Sequence, residues 1–271
     1  MQLHYFSFLL SSIFIVLQLT ACNVNDSGSA TDADAINVEE LFELCSDVTD
    51  SHKVTLYTLN PVRTAYTPVY VDIREAGSDA VVEQAELTIT PIMDMGEHVH
   101  SAPVWQPGST RNPDTGLFET AIIPTMPGGS MGGWFMEWSI DGEEGGGDAC
   151  TFDVDDAPNV QVFTAADDER YILTWIRPEV PETGGNELVL TLHRRATMMD
   201  FPTVVDAQLE VRPWMGSMDH GSEGNEHPLH TSDGFYEGTV AFNMSGDWEV
   251  YITLLDGSEE LYEAEFEWTV K

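Results

Sequence analysis

Two stretches of this chain follow one plan in one order, and a chain that repeats its plan is constrained to fold as two similar units. In the first, an alternating run from Leu87 to Thr90 reaches Pro91 and then Met93, Met95, His98 and His100. In the second, a run from Leu209 to Arg212 reaches Pro213 and then Met215, Met218 and His220. Each continues to a glycine followed by apolar residues and a glutamate, Gly116 to Glu119 and Gly234 to Glu237. Each closes on a Met and Gly turn ahead of a tryptophan, Met131 before Trp134 and Met244 before Trp248.

The 271 residues leave room for two ordinary domains, each with its own core. Short alternating segments separated by Asn, Pro, Gly or Asp fill both halves: Val54 to Leu59, Val69 to Ile73 and Ala85 to Ile89, then Tyr171 to Ile176, Leu188 to Leu192 and Val250 to Leu254. No long helical period interrupts them. The expected fold is all-β: two tandem immunoglobulin-like antiparallel β-sandwiches, over residues 45–155 and 156–271. Between them an acidic linker is expected around Asp155 to Pro158. The glycine-rich stretch from Gly142 to Asp148 reads as a flexible acidic loop.

Residues 1–21 read as an export signal, because the apolar run from Phe6 to Leu19 is short for a membrane span. Leu19, Thr20, Ala21 and Cys22 resemble the lipobox of bacterial lipoproteins, which implies lipidation of Cys22. Asn23 behind it implies, by analogy with Gram-negative sorting, an outer-membrane location facing the periplasm or the cell surface. Residues 22–44 are then an acidic tether, with a helical turn expected from Val38 to Leu44. With Cys22 assigned to lipid, Cys45 and Cys150 remain as a pair in an oxidising compartment, and a disulfide is expected. Closing so long a loop constrains the unfolded chain by roughly 4 to 5 kcal/mol.

The formal charge is -37, from 10 Lys and Arg against 47 Asp and Glu, which excludes nucleic acid as a natural partner and favours cations. Acidity alone also serves solubility. The chemistry lies in the methionines. Met93, Met95, Met215 and Met218 fall past the ends of their strands, among residues of surface-loop type, where a core methionine is not expected. Thioethers need no deprotonation and suit Cu(I), while nearby imidazoles extend the set toward Cu(II) or Zn(II). His98 and His100 flank Val99, so in an extended segment both point to one side. His193, beside Arg194 and Arg195, reads as a surface strand residue. Calcium at the acidic runs Asp153 to Asp156 and Asp167 to Glu169 competes with their simpler role as solvated linker. No catalytic motif is present, and the chain is not expected to be an enzyme.

In the order of these landmarks each half resembles the YtkA-like (FixH-related) domain, a small extracytoplasmic β-sandwich found in copper handling and similar in outline to CopC-like carriers. The resemblance implies one site from Met93, Met95, His98 and Met131, and another from Met215, Met218, His220 and Met244; His100 joins the first by its spacing. Met126 competes with Met131 as the equivalent of Met244, and His227 and His230 could add to or replace ligands of the second site. The expected function is a lipid-anchored protein that binds copper for capture, tolerance or delivery, working with a protein partner in metal handling. A structural module that holds a protein partner and binds no metal is the other function this plan accommodates.

Overall fold

A computed structural model describes residues 40–130 and 132–271, so Cys22, the signal and most of the tether, and Met131, lie outside the described residues. The first half forms β1 (Phe42–Val48), β2 (His52–Thr58), β3 (Thr67–Glu75), β4 (Leu87–Asp94), β5 (Val99–Ser101), β6 (Val104–Trp105), β7 (Phe118–Ile122), β8 (Gly133–Ile140) and β9 (Glu143–Phe152). The second forms β10 (Val160–Thr164), β11 (Arg170–Arg177), β12 (Gly184–Arg194), β13 (Gln208–Met215), β14 (His220–Gly221), β15 (Glu226–Ser232), β16 (Phe235–Phe242), β17 (Gly246–Asp256) and β18 (Glu259–Val270). One sheet of the first half runs β1-β2-β3-β7-β6 and the other β5-β4-β8-β9. The second half runs β10-β11-β12-β16-β15 and β14-β13-β17-β18, the same order with every strand advanced by nine. Among the described residues no helix is long and apolar enough to cross a membrane.

Alternation explains why the sheets face one another. In β8 Trp134, Met136, Trp138 and Ile140 are buried while their neighbours are more exposed, and in β17 Trp248, Val250 and Ile252 repeat this. They meet Val54, Leu56, Val69, Val71 and Phe118 of the opposite sheet in the first core, and Leu173, Trp175, Leu190 and Tyr236 in the second. Each unit is an immunoglobulin-like β-sandwich, with antiparallel sheets closing on one apolar layer.

Cys45 on β1 and Cys150 on β9 form a disulfide with Cα atoms 5.0 Å apart, tying the edge of one sheet to the edge of the other. This corrects two expectations. Phe42 to Leu44 are strand, paired through Phe42 to Thr58 and Glu43 to Tyr57, so neither the helical turn nor the tether reaches Leu44. The run from Glu143 to Asp148 is also strand, within β9, rather than a flexible loop. Its glycines serve close approach: a Cβ on Gly145 would lie 2.1 Å from the Trp138 indole, and one on Gly146, at φ +86°, would lie 2.1 Å from the Met136 carbonyl. The expected linker is likewise fastened. Thr64 N donates to Asp155 O at 2.9 Å, Asp155 N to Val62 O at 3.0 Å, and Ala157 N to Thr64 Oγ1 at 2.6 Å.

The two sandwiches meet through β6 and the loops beside β5. Trp105 Nε1 donates to Asp233 O at 3.2 Å, and its indole packs against Phe235 and edge-on to His193 at 4.8 Å. His193 is therefore not a surface residue: it is 1% exposed, because Trp105 of the other sandwich covers it. Burial pushes its pKa down to about 4.

Candidate metal site

Strand β4 runs on through Met93 to Asp94, and β13 runs on to Met215, because both methionines occupy inward positions of a ladder. Met93 faces Trp134 in register and Met215 lies one residue beyond Trp214, which faces Glu249. Met93 is 0% and Met215 3% exposed. Both are core residues, which corrects the expectation of surface loops; a soft, flexible side chain fills the space beneath the tryptophan.

The tight turn after β4 separates the remaining candidates. Met95 N donates to His98 O at 2.9 Å, with Gly96 at φ +83°. This leaves Met95 half-buried over the core while His98 is exposed. His100, paired with Met93, is buried. The two histidines do not share an environment, so the expected chelating pair is not formed. His98 closes the turn ahead of β5, and only His100 lies within the ladder.

His100 is fixed through one ring nitrogen and turns the other toward a sulfur. Nδ1 lies 2.7 Å from Ser101 O, and a carbonyl only accepts, so Nδ1 carries the proton. In the neutral ring Nε2 then presents a lone pair, and it lies 3.3 Å from Met126 Sδ. The ring stands edge-on to Trp134 at 5.8 Å, and Trp134 Nε1 donates to Met126 O at 3.0 Å. One tryptophan thereby positions both donors.

The second sandwich rebuilds this arrangement. His220, paired with Met215, holds Nδ1 at 2.8 Å from Gly221 O and stands edge-on to Trp248 at 5.7 Å. Trp248 Nε1 donates to Met244 O at 3.1 Å. His100 thus corresponds to His220, and Met126 occupies the place of Met244. Met218 and Met244 are exposed, at 58% and 37%. His227 and His230 lie on β15 rather than in a loop; His227 Nδ1 accepts from Val211 N at 3.1 Å and His230 Nε2 from Gly234 N at 3.4 Å.

The first site opens into a cavity of about 220 Å³ lined by Met95, His100 and Met126, and from the second sandwich by Arg170, Arg195 and Met198. Burial, and then the like charge of Arg170, holds the Arg195 guanidinium below its ordinary pKa. Met198 has no counterpart in the repeated plan; only the paired Met198 and Met199 between basic and acidic neighbours hints at it. Among the described residues no three His, Cys, Asp or Glu side chains gather as a metal-holding group. The donors present do fit a soft metal. A nitrogen and a sulfur on one tetrahedral metal ion lie about 3.5 Å apart, given usual bond lengths near 2.0 and 2.3 Å.

Comparison with known proteins finds no match among curated sequences. Similar solved structures include the Escherichia coli adhesin FdeC, 14% identical, with a TM-score of 0.29, over 83% of this chain and 66% of that one. The Yersinia pseudotuberculosis adhesin InvE is 10% identical with a TM-score of 0.29, over 83% of this chain and 60% of that one. Domains 5-6 of the S-layer protein SbsC are 9% identical with a TM-score of 0.31, over 85% and 98%. The chain therefore spans less than two thirds of the two adhesin structures. A family model described as YtkA-like matches residues 166–253, from the turn before β11 well into β17. This stretch of the chain, the body of its second sandwich, is a YtkA-like domain.

Proposed function

We propose that this chain is a membrane-anchored, extracytoplasmic, non-enzymatic protein that binds copper through a His/Met pair in each sandwich, for capture, tolerance or delivery to a protein partner. One observation carries the reading: in the first sandwich an imidazole whose other nitrogen is already engaged turns Nε2 toward a thioether 3.3 Å away. Fixing one ring nitrogen on a carbonyl is the usual way a ligating histidine is oriented. A thioether beside it biases the pair toward Cu(I). The recurrence of the His, Trp and Met arrangement around His220 supports a second site, more open than the first.

Anaerobic titration of the full chain in detergent with Cu(I), against a competing chelator, tests this. Affinity of micromolar or better is expected, weakened at least about tenfold by His100→Ala, with His98→Ala unchanged. Binding weaker than micromolar, or indifference to replacing His100 and His220 together, would leave the interaction-module reading instead. The anchor is tested separately: Cys22→Ser is expected to move the chain from the membrane to the soluble fraction, and retention in the membrane would refute lipidation at that residue.

A further inference from the structure

We infer that the first site is a shared one, completed across the junction by Met198 of the second sandwich, and that Arg170 and Arg195 in the same cavity restrict it to a soft monovalent cation. This rests on the copper reading above and extends it.

The geometry begins with the loop after β12. Arg195 N donates to Arg170 O at 2.7 Å, Ala196 N to Asp200 O at 3.0 Å, and Met199 N to Thr197 Oγ1 at 3.1 Å, so the loop closes on itself. Met198 is at its tip, and its carbonyl accepts from Ser101 N at 2.9 Å, the residue next to His100. One backbone bond thus brings a methionine of one sandwich to the histidine of the other. Three methionines and one histidine, Met95, Met126, Met198 and His100, are among the residues that line the cavity between them. Three neutral sulfurs and a neutral nitrogen form a soft donor set with no charge of its own.

Arg195 Nη2 meets Met198 Sδ, so this thioether already acts as an acceptor toward a positive group. A metal ion would take the place of that guanidinium at the sulfur. With no carboxylate lining the cavity, each positive charge brought in is opposed by two guanidinium groups, and the opposition doubles from a monovalent to a divalent ion. The site therefore discriminates Cu(I) from Cu(II) and Zn(II) by charge as well as by softness. The strongly acidic remainder of the surface concentrates cations, divalent ones more than monovalent, so the selection for a single charge belongs to the cavity.

The test uses the full chain carrying His220→Ala and Met244→Leu, so that the first site alone is counted, and Cu(I) presented by bicinchoninate without oxygen. Met198→Leu, which keeps the volume and loses the donor, is expected to weaken binding about tenfold. Met199→Leu, at the neighbour that does not line the cavity, is expected to have no effect. Copper K-edge absorption on the parent should count three sulfurs and one nitrogen, and one sulfur fewer in Met198→Leu; a sulfur count unchanged by Met198→Leu would overturn the shared site. Arg195→Gln should narrow the preference for Cu(I) over Zn(II) at least about fivefold, and an unchanged ratio would overturn the charge filter. If His100→Ala abolishes binding while Met198→Leu matches the parent, the site belongs to the first sandwich alone and the copper reading survives. If the parent binds no Cu(I), both fall.

Discussion

A tryptophan lying across backbone leaves no room for a methyl group, and Gly145 beneath Trp138 is such a place. Gly145→Ala forces the indole off its position and is expected to lower stability by about 2 kcal/mol, read as a fall in Tm. Gly108→Ala, with open space around its Cβ, is the matched control and should change little. Side-chain identity was legible in the sequence at this scale, but side-chain direction was not. His98 and His100 look equivalent two residues apart, yet a turn of a few residues returns one to the ladder and leaves the other in water. Met93 and Met215 looked like loop residues because their neighbours are Asp, Gly and Ser; β4 and β13 run on past Pro91 and Pro213, and two further residues put these methionines in the cores. Met198 is marked in its own neighbourhood only by the methionine beside it, since what makes it relevant is a contact with the other half of the chain.

The strands were readable wherever one face is apolar and the other polar, as in β8, β17 and β18. They were unreadable where a strand lies at an edge and is held by something other than alternation. Strand β9 is glycine-rich because indole and carbonyl lie against it, and β15 pairs only with β16, through an irregular register. At β9 the fastening is covalent. Reduction of Cys45 and Cys150 frees a separation of 105 residues and is expected to cost about 4 to 5 kcal/mol, seen as a lower denaturation midpoint under reducing conditions. The excursion between β6 and β7 is fastened by Arg111 instead. Its guanidinium donates to Asp72 Oδ1 at 2.6 Å and to Val82 O at 2.7 Å, and it lies over the Phe118 ring. Arg111 and Asp72 side chains are only 5% and 14% exposed. Arg111→Ala leaves Asp72 with Arg74 as its remaining cation and takes away the donor to Val82 O, and a loss of about 2 kcal/mol is expected; Arg111→Lys keeps the charge but not the fork and should recover only part.

At the scale of the molecule, the duplication was plain in the sequence, whereas the surface between the halves was not, because tandem copies resemble each other but need not resemble what joins them. His193 shows the consequence. Its pKa is about 4 in the folded chain against 6.5 for the ordinary residue, so between those values the unfolded chain takes up a proton that the folded one refuses. Stability is fully present above about pH 6.5 and falls as pH drops toward 4, by on the order of 3 kcal/mol. His193→Gln removes this part of the slope; equal slopes for the two proteins in urea titrations at pH 7 and 4.5 would show that the imidazole is not the group responsible. Strand β18 has a different consequence. It ends its sheet, and Glu259, Glu260, Glu263, Glu265 and Glu267 all stand exposed along it. A second chain approaching to extend that sheet meets a row of carboxylates, so molecules stay apart for as long as that repulsion reaches across the gap. Its reach shrinks from about 10 Å in 0.1 M salt to about 3 Å in 1 M. Light scattering should therefore record single molecules in dilute buffer and growing assemblies in concentrated salt, with Glu265→Thr and Glu267→Thr together moving the onset to lower salt.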